Sequence, residues 1–139
     1  MQVLMINGSP HAKGCTYTAL AEVAGQLEQQ DIGVEMFHIG DQPIRGCNGC
    51  AGCVDSGYCV YDDDAVNTCI DLAREADGLV VGSPVYYAAP NGTLCAFLDR
   101  MFFRKSTAYA YKPAAAVVNC RRGGASAAFD RLNKYFTIA

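Results

Sequence analysis

Short unbroken apolar runs alternate along this chain with longer segments that carry an apolar stripe. Gln2–Asn7 (QVLMIN) is such a run, closed by Gly-Ser-Pro. It predicts a strand buried on both faces. Thr16–Gln30 follows with Tyr17, Leu20, Ala24 and Leu27 at i, i+3, i+7 and i+10, one face of a helix. Gly33 offers a stop, because glycine takes a positive φ freely. Val34–Ile39 predicts a second strand, and a long loop runs from Gly40 to about Asp63. Asp62, Asp63 and Asp64 then favour a helix start by capping and by the dipole. That helix spans Ala65–Ala76, with Val66, Cys69, Ile70 and Ala73 inward. Leu79–Gly82 is a third strand, closed by Ser83-Pro84. Thr93–Arg104 is a helix burying Leu94, Phe97, Leu98, Met101 and Phe102. Ala114–Asn119 is a fourth strand, and Ala125–Phe136 a last helix with Phe129, Leu132 and Phe136 inward.

The order β-α-β-α-β-α-β-α implies an α/β fold, a doubly wound parallel sheet with helices on both faces. The fourth strand is as apolar as an interior strand, yet no strand follows it. An uncovered apolar edge invites pairing. Residues 1–139 are therefore expected to form one domain that is cut short at its C-terminus, or whose edge a partner chain covers.

Composition narrows the function classes. With 139 residues, 51% of them hydrophobic and 18% charged, the chain is neither disordered nor long enough for two domains. No apolar run reaches the length of a membrane span. A net charge of −3 without a basic cluster argues against nucleic acid. The start, MQVLMINGSP, lacks the basic region of a secretory leader, so a cytoplasmic, reducing setting is expected. Disulfides are then the lesser reading for the eight cysteines. Cys15, Cys69, Cys95 and Cys120 are scattered and read as small buried hydrophobes.

In open α/β sheets, ligands bind beyond the C-terminal ends of the strands. Three such ends stand out. Gly8 to Thr16 joins the first strand to the first helix, and its backbone N–H groups, with the Ser9, Thr16 and Thr18 hydroxyls, can cradle a phosphate. It is neither a Walker loop nor GxGxxG. Gly82 to Gly92 places Tyr86 and Tyr87 between two prolines, a stiff loop that can lie against a planar ring. Asn119 to Gly124 offers Arg121, Arg122 and two glycines to a polar ring edge. Together they suit a mononucleotide such as FMN.

The remaining cysteines crowd into the long loop as Cys47-x2-Cys50-x2-Cys53-x5-Cys59. Two Cys-x2-Cys steps sharing a cysteine let three thiolates wrap one corner of a cluster while a fourth closes it. Structural zinc more often uses separate knuckles and histidine, so the spacing favours iron–sulfur over zinc. Asp62–Asp64 could suggest a metal site, but capping explains them more simply.

The segments INGSPHAKGCTYTAL, GCNGCAGCVDSGYCVYDDD and GSPVYYAAPNGTLCAFLDRMFF resemble NADPH-dependent FMN reductases of the flavodoxin-like superfamily. Within them the chain is most similar to the iron–sulfur flavoprotein branch, whose cysteine motif the loop also resembles. The resemblance covers the whole chain. It implies a 2-1-3-4 strand order, with the family's usual fifth strand missing here, and noncovalent FMN in a homo-oligomer. Carried over, Ser9, His11, Cys15 and Thr16 would hold the phosphate, with His11 where an arginine is common. Pro84, Val85, Tyr86, Tyr87 and Asn91 would meet the isoalloxazine and ribityl chain. Arg122, Gly123 and Gly124 would approach the pyrimidine edge. The function implied is electron transfer from NAD(P)H through FMN to an acceptor such as a quinone, free flavin, a metal ion or oxygen. The alternative is a relay from ferredoxin through a [4Fe-4S] cluster on Cys47, Cys50, Cys53 and Cys59 to FMN.

Overall fold

A computed structural model describes residues 1–103 and 107–138. The chain folds as β1 (Gln2–Asn7), α1 (Cys15–Glu28), β2 (Gly33–His38), α2 (Cys53–Ser56), α3 (Val66–Glu75), β3 (Gly78–Tyr86), β4 (Ala89–Pro90), α4 (Gly92–Phe103), a short 3-10 turn (Thr107–Tyr109), β5 (Ala114–Asn119) and α5 (Ala125–Ile138). β2, β1, β3 and β5 pair in parallel in that order, and β4 turns back antiparallel on the end of β3. β5 is the fourth long strand, so the order is the expected one with a two-residue strand added.

Alternation inside the apolar runs fills both faces of this sheet. Leu4, Ile6, Leu79 and Val81 point into a core shared with α3, α4 and α5. Val3, Met5 and Val80 point the other way, against Leu20 and the rest of α1. Close packing of α1 requires a glycine in β3. A Cβ on Gly82 would lie 2.7 Å from Leu20 Cδ1 and 2.9 Å from Thr16 Cγ2. Among the described residues, β5 pairs only with β3, and Ala114 and Ala115 are exposed. No described helix is long and apolar enough to cross a membrane.

Several expectations need correction. α1 stops at Glu28, and the left-handed residue behind it is Asp31 (φ 58°), not Gly33, which already opens β2. The long loop contains the single turn α2, closed by Gly57 at φ 73°. β3 does not stop at Ser83-Pro84 but continues to Tyr86. Pro84 sits at the end of the ladder, opposite Asn119, where a missing N–H costs least. α4 is described to Phe103, so the expected last residue, Arg104, lies outside the described residues. α5 buries Ala128, Leu132 and Tyr135, while Phe129 is 43% exposed. The helix is turned so that the Tyr135 hydroxyl reaches Asp99 at 2.5 Å, while Phe136 is only partly buried. Cys69 is buried and Cys95 half-buried, but Cys15 and Cys120 are exposed and are not packing residues. All eight cysteines are unbridged.

Candidate functional site

At the C-terminal edge of the sheet, polar side chains tie the three strand-end loops to one another. Asn7 Nδ2 donates to the Ala12 carbonyl, and Asn7 Oδ1 accepts from the Ser9 N–H, bending the chain after β1. The Ser9 hydroxyl oxygen accepts from the His11 N–H at 3.1 Å. His38, at the end of β2, holds the Ser9 carbonyl at 2.8 Å. The first helix then starts from Gly14, with no side-chain cap and no acid in its first turn. Its free N–H groups and the positive end of the dipole are left open to an anion.

Two of the expected phosphate hydroxyls are engaged inside the chain. Buried Thr16 donates to Asn119 Oδ1 at 2.7 Å, which fastens this loop to the end of β5. Thr18 donates to the Gly14 carbonyl at 3.2 Å. The Ser9 hydroxyl proton, the exposed His11 ring and the exposed Cys15 thiol face no such demand. These three, with the helix N–H groups, fit a phosphate ester.

The second loop is a two-residue hairpin. Val85 pairs with Pro90 and Tyr86 with Ala89, leaving Tyr87 (φ 50°) and Ala88 (φ 61°) at its tip. Two positive φ values mark a type I′ turn, which normally uses Asn-Gly. Here a tyrosine and an alanine hold it, and such strain persists only where neighbours fix it. One neighbour is Gly124 (φ +93°), whose absent Cβ would lie 2.6 Å from Ala88 Cα. The β5–α5 loop therefore rests directly on the hairpin tip. Tyr86 is half exposed and Tyr87 fully exposed. Arg122 and Gly123 are exposed on the same loop as Gly124.

Asn91 has a different place from the one its sequence context suggests. It is buried; its N–H donates to Ser83 Oγ, its Nδ2 to the Gly8 carbonyl, and its Oδ1 accepts from the Thr93 N–H. It clamps the hairpin to the first loop and starts α4. Asn7, His38 and Asn119 do similar work, and sequence reasoning missed all three as site residues. Their signal is weak, since each is a polar group closing an apolar strand.

The cysteine loop makes a second cluster. Cys47, Cys50, Cys53 and Cys59 line one small cavity together with Arg100. Burial pushes the Cys53 thiol above its ordinary range, and Cys59, Cys47 and Cys50 are all near enough to push it further. Among the described residues, no three Cys, His, Asp or Glu side chains are arranged around one metal ion. A tetranuclear cluster spreads its four ligands over four corners and needs a wider ring of thiols than a single ion. Four cysteine thiols around one cavity are the ligand type that iron–sulfur clusters and soft metal ions take. A larger hollow of about 420 Å³ lies beside it, between Phe102, Phe103, Tyr135 and Ile138, and none of the strand-end residues line it.

A sequence model of NADPH-dependent FMN reductases matches residues 1–138. The chain belongs to that family. Relatives within reach include an iron–sulfur flavoprotein of Methanocaldococcus jannaschii, 29% identical over 99% of this chain and 72% of its own length. Another iron–sulfur flavoprotein, from Methanosarcina thermophila, is 30% identical over 99% of this chain and 74% of its own. Matches to relatives of that name cover between 46% and 74% of their length. A solved apo NADH:FMN oxidoreductase superposes with a TM-score of 0.66 and 26% identity, over 96% of this chain and 66% of that one. Flavodoxin-like architecture and an FMN-reductase lineage thus agree with the three locked loops.

Proposed function

We propose that this chain forms the FMN-binding part of an oxidoreductase that passes electrons from NAD(P)H to an acceptor such as a quinone, free flavin, a metal ion or oxygen. The observation that carries this reading is the mutual locking of three strand-end loops around the uncapped start of α1. The first-turn N–H groups, Ser9, His11 and Cys15 hold the phosphate. Thr16 and Thr18 shape that loop from within. Pro84, Val85, Tyr86 and Tyr87 lie along the ring and ribityl chain. Arg122, Gly123 and Gly124 meet the pyrimidine edge, where a cation favours anionic reduced flavin. Bound there, FMN supplies the hydride and electron chemistry, and the protein supplies position and charge. Anaerobic stopped-flow mixing of the FMN-loaded protein with NADPH or NADH tests the reading. Rapid bleaching of the flavin band is expected with at least one of them.

A second reading is favoured by the four thiols around one cavity. In it, a [4Fe-4S] cluster on Cys47, Cys50, Cys53 and Cys59 relays electrons from ferredoxin to FMN. Slow bleaching by NAD(P)H with rapid reduction by ferredoxin, in protein that contains iron and sulfide, would select it. A homo-oligomer, which the family resemblance implies, belongs to the same proposal, and sedimentation of the FMN-loaded protein tests it.

A further inference from the structure

Arg100 is the largest fully buried side chain of the described protein, and it belongs to neither set of candidate site residues. Its helix position invites burial, because it follows Phe97 by three on the apolar face of α4. A cation there needs partners, and five groups surround it. One guanidinium nitrogen pairs with Asp64 and also donates to the Arg45 carbonyl at 3.3 Å. Another donates to the Tyr61 carbonyl at 2.7 Å. Nε donates to Cys59 Sγ at 3.1 Å, and the group lies 5.5 Å from the centre of the Tyr61 ring. Asp64 in turn accepts from the Val66 N–H, so the same carboxylate starts α3.

These contacts connect elements the chain separates widely. Arg45 precedes the cysteine motif, Cys59 and Tyr61 close it, and Asp64 begins the next helix. A single side chain of α4 thus gathers both ends of the loop. Arginine suits this task because its fork offers several fixed N–H groups, which lysine cannot reproduce. Four hydrogen bonds, one of them to a carboxylate, also explain how a buried charge is tolerated.

We propose that Arg100 is the positioning residue of the cysteine site: it sets the loop around the cavity and tunes a cluster bound there through its N–H on Cys59. The proposal rests on the reading that these four cysteines hold a [4Fe-4S] cluster. Hydrogen bonds to cluster sulfurs and nearby charge are established levers on cluster potential. Reduction adds negative charge to the cluster, and the N–H donated to Cys59 Sγ stabilises that charge, while Asp64 offsets the charge of the guanidinium itself. Arg100 therefore raises the cluster's reduction potential.

The test uses the full chain, reconstituted anaerobically with iron and sulfide, as the wild type and two variants. Arg100→Lys keeps the charge and loses the fork. Arg100→Met paired with Asp64→Asn removes the N–H on Cys59 and both charges of the ion pair, so the net charge is unchanged and no carboxylate is stranded. Iron per chain, the electron paramagnetic resonance signal of the reduced cluster and its midpoint potential are measured. The double variant is expected to show a lower potential than the wild type, with Arg100→Lys between them and an altered resonance signal in both. Iron lost from the double variant while flavin and fold are kept would support the loop-setting half of the proposal. Equal potentials and signals in iron-loaded wild type and double variant would overturn it. A wild type that takes up no iron would overturn the cluster reading itself, and this proposal with it.

Discussion

Gly123 and Gly124 are adjacent, equally small and expected at the same ring edge, yet alanine should affect them very differently. At Gly124 the backbone has φ +93° and an added Cβ would lie 2.6 Å from Ala88 Cα and 3.2 Å from Ala88 N. Left-handed backbone costs an alanine about 1–2 kcal/mol. Overlap with main chain adds about 1–3 kcal/mol, since the tip cannot rotate away as a side chain could. Gly124→Ala should therefore lose about 2–5 kcal/mol of stability, a drop of roughly 6 °C or more in Tm for a domain of this size. Gly123 has no positive φ and nothing within 4 Å of the added Cβ, so Gly123→Ala should stay within about 0.5 kcal/mol. FMN affinity separates strain from contact. The Gly124 strain is relieved by pushing the hairpin tip off its place, and a displacement carrying about 1.4 kcal/mol raises the FMN Kd about tenfold. Urea denaturation of the apoprotein and fluorescence titration with FMN measure the two effects. Equal stabilities for the two variants would refute the close approach. Equal losses of FMN affinity would place the effect at the ring edge and not in the hairpin.

Three further outcomes follow from single contacts. Arg122→Ala should lower the midpoint potential of bound flavin, measured by dye-linked titration; an unchanged potential removes Arg122 from the ring edge. Thr16→Val leaves half-buried Asn119 Oδ1 without its donor and should cost about 1 kcal/mol in denaturation, with a weaker FMN complex. A Thr16→Val, Asn119→Ala double variant that is strictly additive would show that the two side chains do not cooperate. Burial holds the Cys69 thiol well above its ordinary 9.0, and Glu35 adds to this. The folded chain then keeps a proton that the unfolded chain releases. Stability should be intact below pH 9.0 and fall above it, by up to about 1.4 kcal/mol per pH unit. Cys69→Ala should flatten that alkaline slope in urea titrations; an identical slope would mean that Cys69 ionises alike in both states.

The parts of this protein legible in the sequence are those governed by periodicity. β5 carries the expected boundaries because AAAVVN lies between a proline-led turn and a glycine pair. The inner face of α3, with Val66, Cys69, Ile70 and Ala73, agrees residue for residue. What failed was decided by tertiary contact. Phe129 reads as core by hydrophobicity, yet Tyr135 is buried because its ring packs on Phe102 and its hydroxyl finds Asp99. Pro84 reads as the end of a strand, and the hairpin beyond it has no Asn-Gly to announce it. Asp31 in place of Gly33 shows the same limit at a helix end. Two hydroxyls expected at the phosphate, those of Thr16 and Thr18, bond within the chain instead. Thr16 and Asn119 meet across most of the chain, and no local spacing encodes such a bond.

The side chains that staple the loops share one chemistry. Asn7, Asn91, Asn119, His38 and Arg100 are polar, sit at the edge of apolar elements and bond mainly to backbone or to one another's loops. A loop cannot be fixed by burying apolar area, because its backbone groups must stay paired. Fixed polar partners supply what packing cannot. α4 carries this logic between both candidate sites: Asn91 clamps the strand-end hairpin just before its first turn, and Arg100 gathers the cysteine loop further along. At 1.5 Å per residue those two positions differ by about 13 Å along the helix axis. A rigid helix of that length fixes the cysteine cavity relative to the strand-end loops. Loosening either end should therefore disturb the site at the other, and Arg100→Lys should weaken FMN binding only insofar as α4 itself shifts.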